Sequence, residues 1–420
     1  MTCEIAVMNL WGIALATDSA VSFDDGAKVY NSAEKLFQLG NGAPMGIMTF
    51  GEATYEGVPW EVIIADYSRK LDGRRFDTVQ QCVDDFLGYL RRTPFLAISP
   101  ERQADALKSQ IKALWTSLYA KPLAEAMEAA DQPRNDMASK SRPPSPTPLV
   151  DRNPRETLLR LIREDQALWE QHDPWEGADT AWAEDLIRGN ARLLDQVEAD
   201  VFPDADLLDE EVRAALRKTA CLFLTSAGGG PGTGNVVIGG VGETVPFPSL
   251  VQYQIAPLLG GRFRTYKLKE CTITPEDDAM IIPFAQTDAI DTLIRGIHPD
   301  LEQAVPDMLR EYVPGSKDHT GADDQTRDLA KKLRTKVETL CSDPFMRAVS
   351  ALPRGALAAL AETLVSLQIF LARHTINMKE SVQGPVDVAV LSKSCGFQWV
   401  KHKNLIGDRV RSDHRRLIGA

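Results

Sequence analysis

The chain has 420 residues, 44% of them apolar, with 59 acidic against 47 basic side chains and a formal net charge of -12. That length allows one large domain or two ordinary ones around a substantial core, and the acidic balance without a long basic run excludes a surface built to track a phosphate backbone. The six cysteines are far apart, with no C-x-x-C pair and no short His/Cys spacing of the zinc-site kind, so they read as reduced thiols of a cytoplasmic protein that needs no metal or other cofactor. The N-terminus lacks the basic start and apolar stretch of a signal peptide, and no apolar run is expected to approach the ~20 residues of a membrane span, so neither nucleic acid nor membrane is an expected partner.

Along the chain, Cys3 to Met8 and Ile13 to Thr17 read as a strand pair around a turn at Asn9 to Gly12. A second pair follows, Lys35 to Leu39 and Met45 to Phe50, separated by Gly40, Asn41, Gly42 and Pro44. Apolar residues then recur at helical spacing over Val58 to Leu71 and Thr78 to Arg92. Residues Gln132 to Pro154 carry the run Pro143 to Pro148, which favours extended chain. Helical periodicity returns over Glu156 to Trp169 and Trp182 to Val197, followed by strand-like runs at Cys221 to Thr225, Asn235 to Ile238 and Arg262 to Leu268. A helix from Asp288 through Ile297, a polar stretch from Gly315 to Asp324 and two more helices come next, the last with Leu357, Leu360, Leu364, Leu367 and Leu371 in a stripe that suits core packing. Val386 to Leu391 and Phe397 to Val400 close the chain as a hairpin. This order suits an α+β domain in which helices cover two stacked antiparallel sheets.

Few motifs carry chemistry. There is no HExxH, GxSxG, P-loop lysine or EF-hand loop, and Gly228 to Gly234 lacks the spacing of a phosphate cradle, so it reads as a loop before a strand. The unusual feature is Thr2. Removal of the initiator methionine would leave its hydroxyl beside a free α-amine, whose ordinary pKa of ~7.7 to 8.0 lets it act as a general base near neutral pH. One residue would then supply nucleophile and base. Asp18 and Lys35 follow in strand-like contexts, where a lysine near the hydroxyl would favour the alkoxide and an aspartate would hold that lysine charged and oriented.

In their order and spacing these segments resemble the β-subunits of the 20S proteasome and related bacterial threonine peptidases. Thr2 stands where that family has its N-terminal threonine, Gly12 to Ser19 resembles its second strand with Asp18 at the end, Asn31 to Leu39 the segment bearing the active-site lysine as Lys35, and Gly46 to Gly51 the strand ending in the oxyanion-hole glycine. The resemblance implies a four-layer αββα N-terminal-nucleophile (Ntn) hydrolase sandwich and a peptidase in which Thr2 attacks the carbonyl, Lys35 tunes it, Asp18 fixes Lys35 and the Gly51 N–H binds the oxyanion. Glu380 and Ser381 stand near the place of the family's late Asp and Ser, and Pro283 to Asp288 stands in the place of a Ser-Gly-rich turn whose supporting serine is either replaced by Gln286 or Thr287 or lost. The implied divisions are 1–93, 217–302 and 378–420 as parts of the Ntn core, with helical insertions at 94–216 and 303–377. A peptide or protein substrate and a homo-oligomer follow from the same resemblance, with an unfoldase or adaptor unidentified. Two other readings remain: an inactive assembly or regulatory protein of this fold, and an amidase acting on a non-peptide amide with Cys3 as nucleophile after further processing.

Overall fold

The computed structural model describes residues 2–23, 28–40, 43–96, 98–116, 154–202, 204–228, 230, 232–312, 322–375 and 382–403. Its strands are β1 (Cys3–Asn9), β2 (Gly12–Thr17), β3 (Val21–Phe23), β4 (Lys28–Tyr30), β5 (Leu36–Gln38), β6 (Met45–Gly51), β7 (Thr54–Tyr55), β8 (Val58–Pro59), β9 (Gly234–Val241), β10 (Pro248–Ile255), β11 (Thr265–Thr272), β12 (Ala279–Ala285), β13 (Asp387–Ser392) and β14 (Gly396–Lys401). Two five-stranded sheets carry the architecture, in the orders β12-β1-β2-β13-β14 and β11-β10-β9-β6-β5. Every pairing within them is antiparallel.

Side-chain alternation along β1 and β2 sorts residues between two layers. Ala6, Met8, Ile13 and Leu15 point toward the second sheet and join Leu36, Met48, Val237 and Leu250 in the core between the sheets. Ile5, Val7, Ala14 and Ala16 point the other way, under the helix α12 (Arg354–His374), where Leu357, Ala361, Leu364 and Val365 are buried. On the far side of the second sheet, α1 (Trp60–Leu71) and α2 (Val79–Arg92) bury Ile63, Tyr67, Val83 and Phe86 against Ile47, Val236 and Val251. The Thr78 side chain caps α2 by accepting from the Gln81 N–H. Helices therefore cover the outer face of each sheet, as the sequence pattern suggested.

The α12 helix departs from one expectation: its 21 residues, with a mean hydropathy of 1.7 over the most apolar window, have the length and composition of a membrane span. In the fold Leu367 and Leu371 stay outside the core cluster, and it is Leu357 and Leu364 that lie buried over β1, β2 and β13. Burying each of these leucines contributes ~1.5–3 kcal/mol, so Leu364→Ala is expected to cost ~2–5 kcal/mol.

The helices α3 (Pro100–Trp115), α4 (Pro154–Trp169), α5 (Thr180–Gly189), α6 (Ala191–Val201) and α7 (Glu210–Thr225) share an apolar cluster of their own, with Trp115, Leu158, Ile162, Leu194 and Leu216 buried in it. The strand expected at Cys221 to Thr225 is the last turn of α7. Asp209 caps this helix, Glu210 and Glu211 occupy its first turn, and Val212, Leu216, Ala220 and Phe223 form one buried stripe. Helical structure continues past 216 to Thr225, and the single helix expected over Trp182 to Val197 is broken at Asn190. The segment Pro143 to Pro148 lies outside the described residues. Further on, α8 (Asp288–Arg295), α9 (Pro299–Tyr312), α10 (Ala322–Val337) and α11 (Asp343–Ser350) lead into α12.

Candidate active site

Thr2 immediately precedes β1, and its carbonyl accepts the Gln286 N–H at 3.0 Å, continuing the β1–β12 ladder in which Cys3 opposes Ala285. On the other side, the Asp18 N–H donates to the Cys3 carbonyl at 3.1 Å, which carries Asp18 one step beyond β2. Lys35 precedes β5, and its carbonyl accepts the Thr49 N–H of β6 at 2.9 Å. Three backbone ladders, from both sheets, thus converge on one end of the inter-sheet layer.

The side chains converge as well. Lys35 Nζ donates to Thr2 Oγ1 and lies 2.6 Å from Asp18 Oδ1. Thr2 Oγ1 stands 2.7 Å from Asp18 Oδ1. All three residues are buried. Asp18 is held on every side: Oδ1 also accepts the Cys3 N–H at 3.3 Å, and Oδ2 accepts the N–H groups of Ala20 at 3.3 Å and Gln383 at 3.2 Å. These contacts hold the Asp18 carboxylate in place, where it orients the Lys35 ammonium. The Lys35 charge in turn lowers the cost of ionising Thr2 Oγ1, an effect strengthened by the low dielectric of a buried site.

A fourth group completes the cluster and was not singled out by spacing. Glu4, fully buried as the second residue of β1, accepts from the Thr2 hydroxyl through Oε1 and lies 3.8 Å from Lys35 Nζ. Its other oxygen, Oε2, has no hydrogen-bond partner among the described residues. Burial pushes the Glu4 carboxyl up to about 8 against the pull of the Lys35 charge, and the Asp18 charge adds to the push. The signal in the sequence was a lone acid in the otherwise uncharged run Cys3 to Asn9, since a buried carboxyl must be paired or neutral.

Gly51 ends β6 two residues beyond Thr49, a strand separation of ~7 Å along the backbone from the residue bonded to Lys35. Its φ is +87°, and a Cβ there would meet the Thr233 carbonyl at 2.9 Å, so glycine is required on both counts. The glycine-rich loop borders it, with the Gly232 N–H donating to Glu52 Oε1 at 3.2 Å. The same loop lies against α4 and α7, where Cβ atoms on Gly228 and Gly230 would meet Trp169 at 2.7 Å and Phe223 at 2.9 Å. The first helical segment therefore reaches the rim beside Gly51.

Of the remaining candidates, Glu380 and Ser381 lie outside the described residues. Gln286 supports Thr2 through its backbone, whereas the Thr287 hydroxyl donates to Asp291 Oδ2 at 2.6 Å within α8. Pro283 to Ala285 belong to strand β12 and not to a turn; β12 is an edge strand, where a proline is tolerated. Ala285 itself has φ +61°, a strained value for alanine, directly before the residue that holds Thr2. Cys3 points away from Thr2 into the apolar layer under α12, and burial pushes its thiol well up, which argues against it as a nucleophile. Among the described residues no cluster of His, Cys, Asp and Glu side chains is arranged to hold a metal ion.

No family model and no curated protein matches this sequence. Among solved structures, the Anbu (ancestral beta-subunit) protein from Yersinia bercovieri aligns with 100% of this chain and 94% of its own at 9% identity and a TM-score of 0.28. The Anbu complex from Pseudomonas aeruginosa, described as a helical assembly, aligns with 99% of this chain and 94% of its own at 12% identity and a TM-score of 0.29. A Gly-1 mutant of Anbu from Hyphomicrobium sp. strain MC1 gives 100% and 96% coverage at 11% identity and a TM-score of 0.29.

Proposed function

We propose that this chain is a proteasome-like, threonine-type amide hydrolase of the N-terminal-nucleophile class, acting on peptides, with Thr2 as nucleophile once the preceding methionine is removed. The observation that carries this reading is the contact of Thr2 Oγ1 with both Lys35 Nζ and Asp18 Oδ1 at the buried end of two stacked antiparallel sheets. Thr2 Oγ1 attacks the amide carbonyl, and its proton passes to a base, for which the freed α-amine is one candidate. Lys35 stabilises the developing negative charge on Oγ1, and Asp18 pairs with Lys35 and aims it. The Gly51 N–H, at the end of β6, serves the oxyanion. Collapse of the tetrahedral adduct releases the amine and leaves an ester on Thr2, which water then hydrolyses. In this reading 94–216 and 303–377 are insertions into one hydrolase core.

The test is covalent labelling. A β-lactone acylates an activated hydroxyl without needing a particular peptide sequence. Labelling that is lost in Thr2→Ala and in Lys35→Ala supports the hydrolase; a protein that retains its initiator methionine and takes no label is an inactive member of the fold.

A further inference from the structure

Resting on that reading of Thr2, we infer that Glu4 is a catalytic residue: its carboxylate takes the Thr2 hydroxyl proton as Oγ1 attacks and returns it to the departing amine. The geometry comes first. A hydroxyl has one proton to give, and around Thr2 Oγ1 stand a lysine that donates to it and two carboxyls that accept from it. Asp18 is the poorer acceptor for a transferred proton. Both of its oxygens are occupied by Lys35 and the backbone N–H groups of Cys3, Ala20 and Gln383, and protonation would break those bonds. Glu4 has Thr2 on Oε1 and no partner among the described residues on Oε2, so it gains a proton without breaking a described contact.

The surroundings of Glu4 match the role. The neighbouring strands present Phe284 and Thr17 opposite it, and Thr17 Oγ1 is also buried without a hydrogen-bond partner. The ionisable groups acting on Glu4 are Lys35 before β5, Asp18 at the end of β2 and the N-terminal amine, which pulls the carboxyl down as Lys35 does. Burial raises the Glu4 carboxyl against the pull of the Lys35 charge, and the Asp18 charge adds to the push, so Glu4 can exchange its proton near the working pH. A carboxyl pushed up to about 8 by burial is matched to accept and return a proton around neutrality.

The proton balance is complete. The Oγ1–H bond breaks as Oγ1–C forms, the proton moves to Glu4 Oε1, and the carbonyl electron pair moves to the oxyanion. When the C–N bond breaks, the nitrogen takes the proton back from Glu4, which ends ionised and ready to accept a proton from the water that hydrolyses the ester.

The experiment measures the rate of Thr2 acylation by a β-lactone from pH 6 to 9, followed by intact mass, in wild type and Glu4→Gln. Glutamine keeps the shape and the contact but cannot take the proton. The expected result is a loss of ~10²-fold or more, together with disappearance of the limb that rises through about pH 8 in the wild type. A second arm needs no substitution: cyanate at low pH blocks α-amines selectively, and the blocked protein keeps acylating Thr2 if Glu4 is the base. Equal rates and unchanged pH profiles in Glu4→Gln, or loss of acylation on blocking the amine, overturn the Glu4 role while leaving Thr2 as nucleophile. A wild type that takes no label on Thr2 overturns both.

Discussion

Two buried Lys–Asp pairs sit side by side at one end of the first sheet, and they differ in balance. Asp387 opens β13 opposite Thr17, one residue before Asp18. It accepts the Lys403 backbone N–H at 2.8 Å through Oδ1 and the Lys403 ammonium through Oδ2. One acid meets one base, and each oxygen has a partner. The Asp18–Lys35 pair holds the same core contact but adds a hydroxyl and a second carboxyl, Glu4, that the lysine cannot neutralise. A balanced buried pair ties strands together; an unbalanced one stores a titratable proton beside an oxygen that can attack. Perturbed groups of the second kind mark functional sites more often than groups of the first.

The largest effects separate the two pairs by activity. Lys35→Ala is expected to lower Thr2 acylation by at least ~10²-fold, whereas Lys403→Ala leaves the rate of the folded fraction within about threefold. Labelling kinetics check this, and an equal loss in Lys403→Ala would make the second pair part of the site. Stability probes the Lys403 pair by itself. Removing Lys403 strands the buried Asp387 charge and is expected to cost ~3–5 kcal/mol in urea unfolding, and a cost near zero would show that the pair does not hold the sheet.

The pH dependence of stability sharpens the contrast further. Glu4 has its carboxyl pushed from the ordinary 4.5 up to about 8 in the folded chain, so between those values the native state binds more protons than the unfolded state. Stability contributed by neutral Glu4 is therefore present at low pH and lost as pH rises toward and through about 8. Glu4→Gln removes that loss. Relative to wild type it should gain on the order of 3 kcal/mol at pH 9 and almost nothing at pH 5, measured as unfolding free energies at both pH values. A gain of equal size at pH 5 would mean that packing, and not proton binding, separates the two proteins. The smallest expected effect concerns the neighbouring backbone: Ala285→Gly should relieve the left-handed strain and stabilise by about 1 kcal/mol, and a loss instead would show that the methyl group matters more than its backbone angle.

Much of this was legible in the residues. The β1–β2 hairpin could be read because strand alternation and turn residues fix register locally, and Thr2, Asp18 and Lys35 stood out by residue type in strand-like contexts; Gly51 came only from the family resemblance. Glu4 was missed although its signal, a lone acid in a buried strand, was plain; its meaning depends on Lys35 arriving from the other sheet. Cys221 to Thr225 was misread because five apolar and small residues look alike at the end of a helix and in a strand, and only the stripe back to Val212 decides. Pro283 to Asp288 was matched to a turn through the family resemblance alone; Pro283 to Ala285 instead end strand β12, where an edge position accommodates the proline.

The most direct test of the central claim is the intact mass and peptide map of the wild-type protein before and after β-lactone treatment. The account predicts a chain beginning at Thr2 that gains one acyl group on that residue. A retained methionine, or an adduct on any other residue with Thr2 unmodified, would contradict it.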